Sequence, residues 1–185
     1  MVLITTPVCE FNTPAVDFAL SGIDGRTWTL QECMGSHGLL VMFICNHCPY
    51  VKAIRSNLVR DTHALQKLGI NSVAIMSNDP RDYPEDSFEN MGTVAEEYQF
   101  NFPYLFDASQ AVAKAYGAVC TPDFFGYNSA YQLQYRGRFD GSGVQTMQDN
   151  LPRELFNAMQ LVAQTGKGPE QQIPSMGCSI KWKQD

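Results

Sequence analysis

Positive charge is scarce in this chain. Thirteen Lys and Arg stand against 19 Asp and Glu, a net charge of −6 over 185 residues. That balance argues against a broad nucleic-acid or anionic-membrane surface, so neither partner is expected. No apolar run approaches the roughly 18 residues that a bilayer-spanning helix needs. The opening residues, Met1-Val2-Leu3-Ile4-Thr5-Thr6-Pro7, hold neither a basic segment nor a long apolar one. They do not read as a secretory signal, which makes a cytoplasmic location the expectation. Cysteine is also sparse. The six residues Cys9, Cys33, Cys45, Cys48, Cys120 and Cys178 are too few to staple a chain of this length. Histidine is limited to His37, His47 and His63, which are scattered, and no second Cys-x-x-Cys exists. A structural zinc site, which normally takes four ligands, therefore lacks its second half. Internal repeats, low-complexity tracts and clear linkers are missing too. With 44% apolar residues the chain reads as a single domain, 1–185, able to bury a core without disulfides.

What is present is one informative stretch, Phe43-Ile44-Cys45-Asn46-His47-Cys48-Pro49-Tyr50. A Cys-x-x-Cys pair follows the apolar run 39–44, which reads as a buried central strand. A helix is expected from about Pro49 to Leu68. Val51, Ile54, Leu58, Leu65 and Leu68 share a face, Pro49 suits the first turn and Gly69 the stop. Two thiols at that junction sit near backbone N–H groups and the positive end of a helix dipole. Such surroundings favour the thiolate, the nucleophile of disulfide exchange.

The remaining elements are read from period and punctuation. Val16–Leu20 and Arg26–Leu30 form an N-terminal hairpin around Ser21–Gly25. A second buried strand, Ser72–Met76, completes a βαβ unit, which implies parallel strands with a right-handed crossover. Asp86, with Glu89 three residues on, marks a helix start. A short strand near Phe102–Phe106 and a small helix, Ser109–Tyr116, come next. The runs Phe124–Tyr127 and Tyr131–Tyr135 form an antiparallel hairpin. Pro152 opens a last helix reaching about Gln164, and Gly166 ends it. The tail 167–185 is aperiodic.

The order β-α-β-α-β-β-α, with Cys-x-x-Cys where the first of those strands meets its helix, resembles the thioredoxin fold. That is an α/β fold, a central mixed β-sheet flanked by helices, here with an N-terminal β-hairpin extension. Within that superfamily the chain resembles the peroxiredoxin-like proteins of the AhpC/TSA group that carry Cys-x-x-Cys. The matching pieces include Phe43 to Val51, Ser77-Asn78-Asp79 with Glu85-Asp86, and Phe102 to Asp107. They continue through Ala115 to Ala118, Cys120 to Phe124, Tyr135 to Arg138, and Gly177 to Trp182.

The resemblance implies a cis Thr121–Pro122 bond before the last hairpin, packed against the dithiol, whose backbone can pair with an extended substrate peptide. It leaves the two cysteines with two assignments. Read as a thioredoxin, Cys45 is the exposed attacking thiol and Cys48 resolves the mixed disulfide. Read as a peroxiredoxin, Cys48 followed by Pro49 is peroxidatic. Cys45 then replaces the usual Thr or Ser, and the usual Arg before the last hairpin is replaced by Thr121-Pro122. Arg136 or Arg138 would have to supply a cation, against the plainer reading of exposed strand-end charges. His47 either lowers the Cys45 pKa or merely sits at an exposed helix cap. Cys120 and Cys178 are further redox candidates, and Asn78 and Asp79 border the strand end where the site should lie.

Four functions are thus distinguished. The first is thiol–disulfide exchange by Cys45 and Cys48 with protein or small-molecule disulfides. The second is peroxide reduction at Cys48. The third is a metal-binding module using Cys45, Cys48 and His47, and the fourth a non-catalytic binding domain. The leading reading is an oxidoreductase with no cofactor.

Overall fold

The structure is a computed structural model and describes residues 3–145 and 151–184. The expected span 1–185 thus includes residues 1–2, 146–150 and 185, which lie outside the described residues. In chain order come β1 (Leu3–Thr5), β2 (Ala19–Gly22), β3 (Thr27–Thr29) and α1 (Leu30–Cys33). The N-terminal hairpin forms, but its first strand is Ala19–Gly22 rather than Val16–Leu20, and its second stops at Thr29. Thr29 caps α1: its side chain accepts from the Glu32 N–H, and the Glu32 carboxylate accepts from the Thr29 N–H.

Next are β4 (Gly38–Phe43), α2 (Pro49–Gln66), β5 (Ile70–Met76), a 3-10 turn (Pro84–Asp86) and α3 (Phe88–Glu97). Every β4 residue is buried. Period-two geometry sends Leu40 and Met42 to one face of the sheet and Leu39, Val41 and Phe43 to the other. Each face has its own core, which is why the run is continuously apolar rather than alternating. Val51, Ile54, Leu58 and Leu65 turn one side of α2 into the first core. The α3 cap is Ser87, whose side chain accepts from the Asn90 N–H. Asp86, expected to start that helix, is instead fully buried.

The chain continues through β6 (Tyr104–Phe106), α4 (Ala111–Tyr116), β7 (Cys120–Thr121), β8 (Asp123–Asn128), β9 (Leu133–Tyr135), α5 (Glu154–Thr165) and β10 (Met176–Ser179). Seven strands form one mixed sheet in the order β3-β2-β6-β5-β4-β8-β9. β4, β5 and β6 are parallel; β8 is antiparallel to β4, and β2 is antiparallel to β6. The N-terminal hairpin thus extends the sheet beyond β6. With helices over both faces this is the thioredoxin-like arrangement.

Three strands had no sequence signal. β1 and β10 form a second small sheet with β7, in the order β1-β10-β7. The aperiodic tail therefore contains a strand, and that strand lies over the junction of β7 with the last hairpin.

Candidate active site

The strand-to-helix junction 44–49 positions the dithiol. Cys48 precedes α2 with extended backbone, and Pro49 takes the first helical turn, where its missing N–H costs nothing. Opposite stands the Thr121–Pro122 peptide bond, which is cis. Cys45 Sγ lies 3.2 Å from Thr121 Oγ1, and Cys48 Sγ lies 3.1 Å from the Thr121 carbonyl oxygen. Cys178, carried in by β10, places its Sγ 3.0 Å from that of Cys48. Cys45, Cys48, Cys120 and Cys178 are all buried. The exposed Cys45 implied by the thioredoxin reading is not found: its sulfur is enclosed beside Thr121 and His47.

The two thiols are made unequal. A hydrogen bond from Cys45 lowers the Cys48 pKa and outweighs the opposing cost of burial; Cys178 and the backbone amides of Val51 and Cys178 add to it. The Cys45 thiol is pushed well up by burial, by its bond to Cys48 and by the negative charge of Asp86, with Thr121 opposing. Cys178 is raised by burial and by its bond to Cys48. Burial also raises Cys120, whose Sγ lies 3.6 Å from the Pro122 carbonyl oxygen rather than on the dithiol.

His47 is buried, not an exposed cap. Its Nδ1 lies 2.6 Å from Asp86 Oδ2 and 3.7 Å from Cys45 Sγ, and its ring stacks on Tyr83 at 4.3 Å. Asp86 Oδ1 accepts the backbone N–H groups of Asn46, at 2.7 Å, and His47, at 3.1 Å. Asn78 donates to Asp86 Oδ2 at 2.8 Å. Burial would raise the Asp86 carboxyl, but the donors from His47, Asn78 and Asn46 hold it below the usual range. Asp86 thus organises the Cys-x-x-Cys loop from 39 residues along the chain; the sequence had pointed there only by reading Asp86 as a helix start and by including Glu85-Asp86 in the family resemblance. Asp79 pairs instead with Arg81 at the surface. Asn46 is held by three further partners: Tyr104 donates to its side-chain oxygen, its amide donates to the Glu85 carbonyl, and Arg55 donates to its own carbonyl.

Arg136 is not an exposed strand-end charge. It is buried, bonds Asp123 at 3.1 Å and the Gly117 carbonyl at 2.7 Å, and stacks on Phe125. Arg138 is paired with Glu154 at 2.6 Å. Both candidate cations are thus paired with carboxylates, and Arg138 also lines a cavity beside Tyr50 and Pro122. For a metal ion, the grouped donors are Cys45, His47 and Asp86, with ligand atoms within 4.8 Å of one another. That set replaces the expected Cys45, Cys48 and His47. Among the described residues no helix is long and apolar enough to cross a membrane.

The AhpC/TSA family profile matches residues 11–139. Two solved structures resemble the chain over nearly its whole length. An uncharacterized conserved protein from Geobacillus kaustophilus is 40% identical, with a TM-score of 0.92, covering 100% of this chain and 98% of that one. A hypothetical protein from Sinorhizobium meliloti is 41% identical, with a TM-score of 0.90 and 97% coverage of both chains. A secreted Mycobacterium tuberculosis disulfide oxidoreductase shares the fold at 15% identity and a TM-score of 0.58, covering 80% of this chain and 94% of its own. No curated protein matches the chain.

Proposed function

The chain belongs to the AhpC/TSA family of thioredoxin-fold oxidoreductases, and from that premise we propose that it is a thiol–disulfide oxidoreductase working through Cys45 and Cys48. The observation that carries this reading is geometric: both sulfurs of the Cys-x-x-Cys face the cis Thr121–Pro122 turn, Cys45 Sγ 3.2 Å from Thr121 Oγ1 and Cys48 Sγ 3.1 Å from the Thr121 carbonyl oxygen. Cys48 is the more acidic, and Cys45 is held protonated against it. Cys48 thiolate attacks one sulfur of a substrate disulfide. The S–S bond breaks, one half leaves as thiolate, and the other stays bonded to Cys48. Cys45 then attacks Cys48 Sγ, its proton leaves with the second substrate thiol, and a Cys45–Cys48 disulfide remains. This order reverses the thioredoxin-like assignment, because the acidic thiol is the one at the helix start. The substrates are protein or small-molecule disulfides, and a cytoplasmic site of action is part of the reading.

A second reading has one observation in its favour: Cys48, followed by Pro49, is the position the peroxiredoxin pattern makes peroxidatic. Cleaving a peroxide, however, calls for positive charge near the departing oxygen. Arg136 and Arg138 are both paired with carboxylates, Asp123 and Glu154. Single-turnover oxidation of the wild-type protein by oxidised glutathione and by hydrogen peroxide separates the two. Faster oxidation by the disulfide is expected. Much faster oxidation by peroxide, retained in Cys45→Ser, would install Cys48 as a peroxidatic cysteine instead.

A further inference from the structure

We propose that β10 is a substrate-like peptide carried by the chain itself, and that Cys178 is a second internal disulfide partner for Cys48. The inference rests on the disulfide chemistry proposed for Cys48.

β7 lies outside the seven-stranded sheet, just before cis-Pro122, and its edge is where an extended peptide can add as a strand. β10 occupies that edge. It pairs antiparallel with β7, Cys178 opposite Thr121 and Ser179 opposite Cys120. That register delivers the Cys178 sulfur to within 3.0 Å of Cys48 Sγ. Cys48 therefore stands between two thiols, one from its own loop and one from a strand lying where a substrate's would.

The close approach is built in. A Cβ on Gly177 would collide with the Thr121 carbonyl, so only glycine lets the strand lie against this turn. Flanking bonds hold it: Ser175 Oγ donates to the Pro122 carbonyl at 2.8 Å, and Lys181 N–H donates to Asn78 Oδ1 at 2.9 Å. Beside it a cavity of about 330 Å³ runs between Tyr50, Pro122, Arg138 and the segment 173–176.

The exchange is balanced without an outside reagent once the first disulfide exists. Cys178 thiolate attacks Cys48 Sγ, the Cys45–Cys48 bond breaks, and Cys45 takes up the proton that Cys178 released. The same attack on a Cys48–substrate mixed disulfide expels the substrate as its thiol. In either case the Cys48–Cys178 bond pins β10 in the groove and closes it to outside peptides.

The test is peptide mapping after limiting oxidised glutathione and rapid alkylation. Trypsin places Cys45 and Cys48 in 27–52 and Cys178 in 168–181, so a Cys48–Cys178 bond joins two peptides and a Cys45–Cys48 bond joins none. The joined pair is expected in wild-type protein, with fragmentation locating the bond at Cys48 rather than Cys33. It should increase in Cys45→Ser and be lost in Gly177→Ala, which keeps every cysteine. In Cys45→Ser the glutathione adduct on Cys48 should be short-lived, and in Cys45→Ser/Cys178→Ser it should persist. Wild-type protein that yields no joined pair at any dose overturns the inference, as does an adduct that persists in Cys45→Ser alone; the dithiol reading survives both. A double variant that never forms the adduct on Cys48 overturns both.

Discussion

His47 and Asp86 are joined side chain to side chain at 2.6 Å across 39 residues of sequence. The contact ties the Cys-x-x-Cys loop to the turn ahead of α3, and Asp86 reinforces it by accepting two backbone N–H groups of the same loop. One carboxylate thus fixes the backbone that presents the dithiol and, after burial and the bond to Cys48, its charge adds to what keeps the Cys45 proton in place.

Asp86→Ala strips acceptors from the Asn46 and His47 amides, the His47 ring and the Asn78 side chain. Leaving buried donors unpaired costs about 1–3 kcal/mol each, so a loss of about 3 kcal/mol or more is expected in urea denaturation. Asp86→Asn keeps an acceptor and should cost less. It also removes the charge that raises Cys45, so the Cys45 thiol should titrate lower than in wild type.

The second expectation concerns the Cys48 thiol. Ultraviolet thiolate absorbance of the reduced protein should show one group titrating below the ordinary thiol value of about 8.5. Cys48→Ser should abolish that step. The sign of the linkage follows: a lowered folded pKa adds stability that is fully present above the unfolded value and is lost as pH falls through the folded one. Reduced wild-type protein should therefore lose stability on acidification through that step, whereas Cys48→Ser should not. An absorbance step that survives in Cys48→Ser would assign the acidic thiol elsewhere.

The backbone of this site was largely legible in the sequence. The apolar run 39–44, the helix-opening Pro49 and the Cys-x-x-Cys between them are local signals, and they form β4, α2 and the junction. Pro122 was legible through its place before the last hairpin, and it is cis. What stayed hidden was long-range. Asp86 looked like a helix cap because Glu89 follows three residues later, yet Ser87 caps that helix and Asp86 turns inward to His47. β10 has no apolar alternation because its partners are two short strands, β1 and β7, rather than the face of a large sheet. Arg136 read as a strand-end charge because its counter-ion, Asp123, lies on the neighbouring strand.

That buried pair supplies a third prediction. The Asp123 carboxylate is fully buried and the Arg136 side chain is 10% exposed. Asp123→Ala leaves a buried guanidinium without its partner and should cost about 3–5 kcal/mol. Asp123→Leu combined with Arg136→Met should recover much of that loss, since apolar replacement of a whole buried pair is often neutral or better. A denaturant midpoint for the double variant as low as that for Asp123→Ala would show that the pair itself, rather than the orphaned charge, is what matters.

The last prediction separates attack from resolution. Thr121 Oγ1 lies 3.2 Å from Cys45 Sγ, and its hydroxyl lowers the Cys45 pKa against the causes that raise it. On the proposed mechanism first attack is the work of Cys48, whose sulfur contacts the Thr121 backbone carbonyl. Thr121→Val should therefore leave the rate of mixed-disulfide formation nearly unchanged and slow its resolution by Cys45. A hydrogen bond to a charged sulfur is worth about 1.5–3 kcal/mol, so the slowing should be roughly ten- to a hundredfold. The measurement belongs in a Cys178→Ser background, where Cys45 is left to do the resolving. Acid-quenched single turnovers with oxidised glutathione, read by intact mass, give both rates. Thr121→Ser keeps the hydroxyl and should restore resolution, which a merely structural role for the Thr121 methyl group would not predict. Equal slowing of both steps in Thr121→Val would mean that the side chain shapes the cis turn rather than serving Cys45.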